Sequence, residues 1–449
     1  MKMDEFIQKL FDAAKVAGFS VAEAFLLEDD SFKAVATNGE ITEYSSHATR
    51  GLGFRAMMDG RMGYSSTEAF DDAAVDWLIR GAMDSAKLCE DPSEQFIYDG
   101  QEPVTELPLT GTDAPADEKL AFALSLEQYA KEYDPRVEQV GYDTVITGNA
   151  KVRIVNTYGM DKQYSESFSG AYLQPVAREG DSTATAFHIQ YSRNFVELDA
   201  KKLAETAAQK AVDALHASPV ASGNYRVIIK NLAMIDLLET FSPAFSADNA
   251  QKELSMLKGK IDEAIAAPCV TIVDDALSTQ GFASRPFDAE GVPSHRNVVV
   301  ESGVFKTFLH NLKTAHKDGV ASTGNASKGS YASSVRVSPT NFFIEAGVKS
   351  FDELVADMAN GLVITEVEGL HAGANAVTGD FSLLSKGYTV KDGKRDQPVE
   401  QITIAGNFFG LLKDVRMVGS DLQFPAAGIG APSVDVGTLS VAGKAGEEE

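Results

Sequence analysis

The sequence predicts an α+β protein, in which an N-terminal half of antiparallel sheet and helices precedes a β-rich C-terminal domain. The N-terminal half alternates helical apolar spacing with extended runs, and Asn38-Gly39 is a strong hairpin turn between two of those runs. Beyond residue 224 the composition shifts to β-branched residues and glycine, which favours strands. A chain of 449 residues is also too long for one ordinary core, so two or three domains are expected.

The N-terminal elements can be predicted in chain order. Residues 4–17 carry apolar side chains at helical spacing, and Gly18 is placed as the residue that ends this helix. The later elements are extended segments at 22–30 and 32–46, a helix at about 71–87 that carries Trp77, a loop rich in Pro, Asp and Gly over 90–115, a helix at about 116–131, strands from Val137, and a helix at about 199–216.

Two stretches of the N-terminal half show a faint internal repeat. Each runs strand, turn and strand and ends in a long helix. Three residue types keep the same spacing in both, as Gly39, Tyr44 and Ser45 and again as Gly159, Tyr164 and Ser165. Three matched positions can arise by chance, but a duplication would build the N-terminal domain, 1–216, from two similar units at about 1–90 and 116–216.

The segment 216–224 is the best domain boundary, because it places proline, glycine and small polar residues between a predicted helix and a predicted strand. The C-terminal domain then spans 225–443. It should be mostly strand, with helices near 231–247, 251–263 and 351–360. Residues 444–449 form an acidic tail.

Composition excludes several classes of function. The formal net charge of −25 disfavours direct binding to nucleic acid, because phosphates repel an acidic surface. No apolar stretch reaches the roughly 18 residues of a membrane span, and the charged N-terminus does not resemble a signal peptide. The two cysteines, Cys89 and Cys269, fit a reducing compartment, so a soluble, cytoplasmic protein is expected. Cys269 is predicted to be a small buried residue of an apolar strand.

Five stretches of the chain carry a resemblance to a known family. They read FDAEGVPSHR at 287–296, ASTGNAS at 321–327, GLHAGANAVTGDFSLLSKGY at 369–388, PVEQITIAGNFFGLLKDV at 398–415 and VGSDLQFPAAGIGAPSVDVGTLSVAG at 418–443. Together they resemble the C-terminal domain of the TldD/PmbA family, and the chain looks like its PmbA (TldE) branch. The resemblance implies an association with zinc-dependent peptidase activity. The family also carries the label "modulator of DNA gyrase", and the acidic charge favours an indirect effect of that kind, through protein or peptide partners.

The same resemblance shows where this chain departs from the catalytic members. TldD-like chains carry an HExxxH motif on a helix, and here Glu239, Thr240 and Ala244 occupy the three motif positions. A cysteine that supplies a further zinc ligand in TldD-like chains is also missing between Asp421 and Gly430. The resemblance therefore implies no catalytic residue and no zinc in this chain, and zinc in a TldD-like partner.

The residues alone also argue against a metal centre. Catalytic zinc needs about three convergent protein ligands and an open position. The seven histidines are scattered, and the closest pair, His310 and His316, has no metalloprotease spacing. Asp274 and Asp275 end a predicted strand and could bind a cation, but turn and capping roles are commoner for such pairs. We expect no metal site.

The glycine-dense run 371–381 offers peptide-binding candidates. His371, Asn375 and Asp380 lie in or beside it, and Asn407 lies on a later strand. Dense glycine permits either close approach of a ligand to the backbone or a tight turn between strands. The turn is the commoner explanation.

Three functional hypotheses remain. The first is a noncatalytic subunit of a zinc metallopeptidase complex, which pairs with a TldD-like subunit and helps bind unfolded or leader peptides at an open sheet edge. The second is a self-sufficient homodimeric binding or regulatory protein without a proteolytic role. The third and weakest is an enzyme with a constellation around His371, Asp380 and Asn407.

Overall fold

The computed structural model describes residues 1–88, 96–425 and 428–444. Cys89, and all of the predicted acidic tail except Lys444, lie outside these ranges. The N-terminal helices are α1 (Met3–Ala17), α2 (Asp72–Lys87), α3 (Ala116–Tyr133) and α4 (Ala200–Asp213). The N-terminal strands are β1 (Val21–Thr37), β2 (Glu40–Met58), β3 (Arg61–Thr67), β4 (Val137–Asn156), β5 (Asp161–Glu179), β6 (Ser182–Thr185) and β7 (His188–Ser192).

The N-terminal strands form one antiparallel half-barrel sheet. Its order is β3-β2-β1-β4-β5-β6, and β7 also pairs with β5. The predicted first helix and hairpin are confirmed. Gly18 ends α1 at φ 94°, and Asn38 and Gly39 form the turn at φ 53° and 74°, a left-handed pair that suits the twist of a two-residue hairpin.

A helix, a run of strands and a second helix occur twice along the N-terminal half, as α1-β1-β2-β3-α2 and, with one further strand, as α3-β4-β5-β6-β7-α4. The central neighbours β1 and β4 run antiparallel, so the strand order is symmetric about their contact. This is the arrangement that a duplication would produce. Duplication as the origin stays a prediction.

The two faces of this sheet have different partners. One face packs on all four N-terminal helices. Near α1 and α2 the contact includes Leu26 and Leu78, and near α3 and α4 it includes Leu173 and Leu203. The opposite face contacts loops of the C-terminal half, where Phe25 and Ile154 pack near Phe287. We call the second surface the inner face.

The C-terminal half is rich in short strands. Its helices are α5 (Asn231–Phe241), α6 (Ala247–Gln251), α7 (Leu312–Asp318), α8 (Phe351–Met358), α9 (Leu370–Gly373) and α10 (Phe408–Asp414). Its strands are β8 (Gly223–Ile229), β9 (Ile272–Asp275), β10 (Arg296–Glu301), β11 (Val304–Phe305), β12 (Ala326–Ser327), β13 (Arg336–Val337), β14 (Phe342–Ile344), β15 (Gly361–Glu368), β16 (Asp380–Lys391), β17 (Lys394–Asn407), β18 (Met417–Val418), β19 (Ile429–Gly430) and β20 (Val434–Ala442).

These strands build two main sheets around the largest apolar core. One sheet has the order β17-β16-β15-β8-β20-β18, with a further contact between β17 and β20, and the other has the order β11-β10-β9-β14-β19. Phe241, Phe245 and Phe408 pack in the core between them. Helix α5 is thereby fixed on its apolar side, which leaves its other side for contacts with the N-terminal half.

Three local predictions for the C-terminal half are wrong. Residues 252–263 form turns instead of a helix, because Glu253 at φ 61° and Gly259 at φ 76° leave the helical region. The predicted helix at 231–247 is interrupted by a 3-10 turn, Ser242–Phe245, that contains Pro243, and proline disrupts a helix interior. Cys269 lies exposed in a turn before β9.

A buried charge cluster joins the two halves. Arg55, on the inner face, donates from Nε to Glu23 Oε1 at 2.7 Å and from Nη2 to Glu23 Oε2 at 3.0 Å, and its Nη1 lies 3.4 Å from Glu290 Oε1. The backbone N–H of Leu312 donates to Glu290 Oε2 at 2.9 Å. Burial raises the pKa of Glu290 to about 7, although the positive charge of Arg55 opposes that rise. Glu290 belongs to the stretch FDAEGVPSHR, so that stretch contributes to domain contact.

A second buried carboxylate lies on the helix-covered face of the sheet. Tyr142, at φ 60°, lies in a bulge of β4, and the next residue, Asp143, is completely buried. Among the described residues neither carboxylate oxygen of Asp143 has a hydrogen-bond partner. Burial raises the pKa of Asp143 to about 7, with a further rise from the charge of Glu127 and an opposing effect from Lys131.

Candidate functional site

Helix α5 carries the positions of the zinc motif and lies at the junction of the two halves. Its buried side includes Leu237, Leu238 and Phe241. Leu232, Asp236 and Glu239 are spaced so that they lie on one face of the helix. Leu232 lines a pocket together with residues of β7 and α4. The start of this face, at Leu232, therefore lies beside the N-terminal half.

The three motif positions do not converge on a metal site. Glu239 is exposed, and Ala244 is completely buried in the 3-10 turn. Thr240 donates its Oγ1 hydrogen to the carbonyl of Asp236 at 2.8 Å, and Ser255 Oγ donates to the carbonyl of Ala244 at 2.5 Å. These positions supply one carboxylate and no imidazole, which does not fit a catalytic zinc ion.

Over residues 1–88, 96–425 and 428–444, no group of three or more His, Cys, Asp or Glu side chains could hold a metal ion. Asp274 is buried and accepts hydrogen bonds from Asn325 Nδ2 at 2.7 Å and from the N–H and Oγ1 of Thr340 at 2.6 and 2.9 Å. Its neighbour Asp275 accepts from the N–H of Leu277 at 2.9 Å. Both aspartates hold turns together, and absence of zinc from the protein stays a prediction.

The pocket beside α5 has a volume of about 310 Å³. The N-terminal half contributes Phe187, Tyr191 and Leu203, and the C-terminal half contributes Leu232 and Phe424. Phe187 is 48% exposed, so part of its ring is accessible to solvent at the edge of the pocket. The walls come from both halves, and their relative position therefore determines the shape of the pocket.

A partly buried lysine lies against the pocket residue His188. Lys210 Nζ lies 3.1 Å from His188 Nδ1. Burial lowers the pKa of Lys210 to about 8, and the nearby charge of Lys230 lowers it further, whereas Glu366 raises it. Burial also lowers the pKa of His188 to about 4, with a smaller effect from Lys210. The imidazole is therefore neutral at pH 7.

On α5 itself the local charge is negative. Burial raises the pKa of Asp236 to about 6, and repulsion from Glu239 and Glu366 adds to the rise. Glu366 in turn has a pKa above its usual range, chiefly because of burial, and Lys386 opposes that shift. Lysines therefore lie near the start of α5, and carboxylates lie farther along the helix.

Three of the four predicted peptide-binding residues meet in one turn of the C-terminal half. Asn375 Oδ1 accepts from the N–H of Val377 at 3.0 Å, and Asp380 Oδ2 accepts from Thr378 Oγ1 at 2.8 Å. Asn407 donates from Nδ2 to Asp380 Oδ1 at 2.9 Å, and its Oδ1 accepts from two N–H groups that begin α10. These polar atoms are already used within the turn.

His371 does not join this network. It lies exposed on the short helix α9, and in the described part of the chain no hydrogen bond links it to Asp380 or Asn407. A role of the four residues in peptide binding stays a prediction. The pocket residues, by contrast, gave no sequence signal, because Phe187, Lys202 and Phe424 lie on separate elements that only the fold brings together.

Comparisons with known proteins support one family. Family models described as PmbA/TldA metallopeptidase match the chain over residues 22–86 for domain 1, 110–215 for the central domain and 222–443 for the C-terminal domain. A relative named metalloprotease, from Methanothermobacter thermautotrophicus, is 27% identical and covers 91% of this chain and 87% of its own length. Metalloprotease PmbA of Escherichia coli O157:H7 is 24% identical and covers 90% of this chain and 88% of its own length.

Two solved structures are similar to this chain over nearly its whole length. A putative modulator of DNA gyrase from Thermotoga maritima has a TM-score of 0.91 and 34% identity, with 98% of this chain and 100% of that one covered. TldE from Thermococcus kodakarensis has a TM-score of 0.89 and 23% identity, with 98% and 100% covered, and this second likeness shows the fold alone. The family models span the N-terminal sheet and the C-terminal domain alike, and the chain therefore belongs to the PmbA/TldD family.

Proposed function

We propose that the chain is the noncatalytic subunit of a zinc metallopeptidase complex of the TldD/TldE type, acting on unfolded or leader peptides. The observation that carries the proposal is the state of α5. The helix borders the pocket between the two halves, yet Glu239 is its only carboxylate at a motif position and Ala244 is buried. A TldD-like partner would supply the zinc and the metal-bound water. This chain would supply part of the peptide-binding surface.

Open sheet edges support the peptide-binding role. β7 pairs with β5 along one edge, and no strand of the described chain lies on its other edge. Its residues 188–191 also line the pocket beside α5. An extended peptide can add to such an edge through backbone hydrogen bonds, which gives binding that tolerates many sequences. Side chains of the added strand would then reach the pocket.

The acidic charge and the absence of nucleic-acid features limit the partners that we propose. The net charge of −25 opposes direct contact with DNA, so any effect on gyrase would pass through a protein or peptide partner. Among the described residues, none of the helices has the length and apolar character needed to cross a bilayer. We propose a cytoplasmic location, which fits peptide substrates that are newly made or unfolded.

The proposal is tested with a disordered peptide, this chain, a TldD-like protein from the same source, and their mixture. We expect no cleavage by this chain alone and cleavage by the mixture that a metal chelator abolishes. Stable assembly should bury on the order of 1,600 Å² or more. Cleavage by this chain alone, from a preparation free of other proteases, would contradict the subunit assignment.

A second candidate is a self-sufficient homodimer with a binding or regulatory role. It is favoured by a long open edge, because β3 covers β2 only from Leu52 to Met58, and among the described residues no strand lies beside 40–51 on that side. Light scattering of the chain with and without the TldD-like protein separates the candidates. A homodimer that persists unchanged in the mixture would favour the second.

A further inference from the structure

The pocket beside α5 is positively charged on one side, although the whole chain is strongly acidic. Lys202 lines the pocket, Lys210 contacts the pocket residue His188, and Lys230 lies just before α5. None of these three ammonium groups forms an ion pair with a carboxylate in the part of the chain that the structure describes. Lys202 lines the pocket itself, whereas Lys210 reaches it through His188 and Lys230 lies over the Phe351 ring. In a chain with net charge −25, lysines without carboxylate partners so close to one pocket are unexpected.

The nearest carboxylates do not neutralise these lysines. Glu366 raises the pKa of Lys210, but burial and the charge of Lys230 outweigh it and the net shift is downward. Burial likewise lowers the pKa of Lys230, although Asp421 attracts its proton. Ammonium groups that are partly desolvated and repel one another favour an incoming anion, which would restore lost interactions.

Apolar side chains form much of the rest of the pocket, together with the polar residues Gln190, Thr206 and Gln423. Phe187, Tyr191 and Phe424 supply aromatic surface, and Leu203 and Leu232 supply aliphatic surface. The volume of about 310 Å³ is at the lower end of the range for small-molecule pockets, so it suits one or two large side chains better than a whole cofactor. β7, with its open edge, forms one wall.

We propose that this pocket binds a peptide segment in which a carboxylate stands next to an aromatic or large aliphatic side chain. The apolar side chain enters between Phe187 and Phe424, and the carboxylate accepts hydrogen bonds from Lys202 and Lys210. The peptide backbone lies along β7. This inference rests on the proposed function, since it names the class of peptide that the same cleft takes.

The lysines also predict discrimination by charge. A peptide with lysine in place of the acidic residues would bring like charges together and leave the ammonium groups unpaired. The carboxylates Asp236 and Glu239 lie farther along α5, beyond Leu232. A basic residue on the other side of the apolar one is therefore compatible with binding, whereas one facing Lys202 is not.

The test uses three labelled peptides that share a disordered Gly/Ser background. Their central residues are Glu-Phe-Glu, Lys-Phe-Lys and Glu-Ser-Glu, and binding to this chain is followed by fluorescence anisotropy at pH 7 and low ionic strength. We expect Glu-Phe-Glu to bind at least about tenfold more tightly than Lys-Phe-Lys, which loses the charge-assisted hydrogen bonds. We expect a similar margin over Glu-Ser-Glu, which keeps both carboxylates but loses the burial of the aromatic ring. Equal affinity for Glu-Phe-Glu and Lys-Phe-Lys would overturn the proposal.

Variants with a matched control locate the site. Lys202→Gln and Lys210→Gln should each weaken Glu-Phe-Glu about tenfold. Lys201→Gln should leave the affinity unchanged, because Lys201 adjoins Lys202 in sequence but lies 3.9 Å from its own partner Glu205. Lys202 is exposed, so its replacement leaves the fold intact even if Lys210→Gln does not fold. Unchanged affinity in Lys202→Gln would remove the pocket from peptide recognition.

Cleavage by the mixture with the TldD-like protein separates this inference from the proposed function. If the mixture cleaves Glu-Phe-Glu and Lys-Phe-Lys equally and Lys202→Gln has no effect, the subunit role stands and the peptide class is wrong. If the mixture cleaves nothing while this chain alone shows the expected binding pattern, the peptide class stands and the subunit role is wrong. If Lys202→Gln abolishes assembly and the free chain binds no peptide, the pocket holds a segment of the partner, and the proposal fails.

Discussion

Replacing Arg55 by methionine should destabilise the contact between the two halves by several kcal/mol. The side chains of Arg55 and Glu23 are 3% and 0% exposed, and that of Glu290 is 5% exposed. Methionine keeps most of the side-chain volume and removes the charge, so both carboxylates lose their cation in a buried environment. Removing one partner of a buried ion pair costs about 3–5 kcal/mol. We expect a loss within that range at pH 7, carried mainly by Glu23, because Glu290, with a pKa of about 7, is only partly ionised there and the buried Lys328 interacts with both carboxylates.

A matched control lies on the same strand. Arg50 pairs with Glu28 at 3.1 Å, but these side chains are 48% and 45% exposed, so Arg50→Met should cost less than about 1 kcal/mol. Adding Glu23→Gln to Arg55→Met should recover part of the loss, because it removes one of the uncompensated charges.

Urea unfolding provides the assay. Trp77 is the single tryptophan of the chain and lies on α2 in the N-terminal half, so its fluorescence reports on that half. Two results together would contradict the argument. The free energy of unfolding of Arg55→Met would lie within about 1 kcal/mol of that of the unaltered protein at pH 7, and adding Glu23→Gln would recover none of the difference. The buried pair would then not stabilise the contact between the halves.

The remaining predictions concern buried groups and metal. Because the pKa of Asp143 is raised from 3.8 to about 7, its favourable contribution is present below pH 4 and is lost as the pH rises through 7. At pH 8, Asp143→Asn should therefore raise the free energy of unfolding, measured in urea, by about 1–3 kcal/mol over that of the unaltered protein. The difference should vanish near pH 4. The control Glu138→Gln changes an exposed residue of the same strand and should show no such trend. Restoring the motif with Glu239→His, Thr240→Glu and Ala244→His should not create a zinc site by elemental analysis, and the Ala244 change alone should destabilise the fold by about 1–3 kcal/mol through overpacking. The unaltered chain should hold no stoichiometric zinc after dialysis, and one tightly bound ion per chain would contradict this.

Local sequence signals predicted much of the fold. The turn at Asn38-Gly39 and the end of α1 at Gly18 follow from backbone freedom at single residues, so sequence alone sufficed for them. The helix expected at 251–263 failed because apolar spacing gave no sign of the left-handed turn at Glu253. The apolar neighbours of Cys269 predict a buried strand, yet β9 begins only at Ile272.

The candidate site was less accessible to sequence reasoning. The motif comparison points to Glu239 and Ala244. In the structure Glu239 is exposed and Ala244 is buried, because Pro243 introduces a 3-10 turn between them. The pocket and the Arg55 cluster join residues far apart in sequence, and each of those residues looks ordinary in its own element. Such contacts depend on how the halves pack, which short-range patterns do not encode.

The most direct test of the central claim reconstitutes the complex with one subunit altered at a time. In the TldD-like partner, both histidines of the HExxxH motif are changed to alanine. In this chain, Glu239 is changed to alanine. We predict that the partner's change abolishes cleavage of a disordered peptide while the complex still forms, and that Glu239→Ala leaves cleavage and zinc content unchanged. Loss of cleavage and zinc with Glu239→Ala, in a complex that still assembles, would show that this chain helps to hold the catalytic metal.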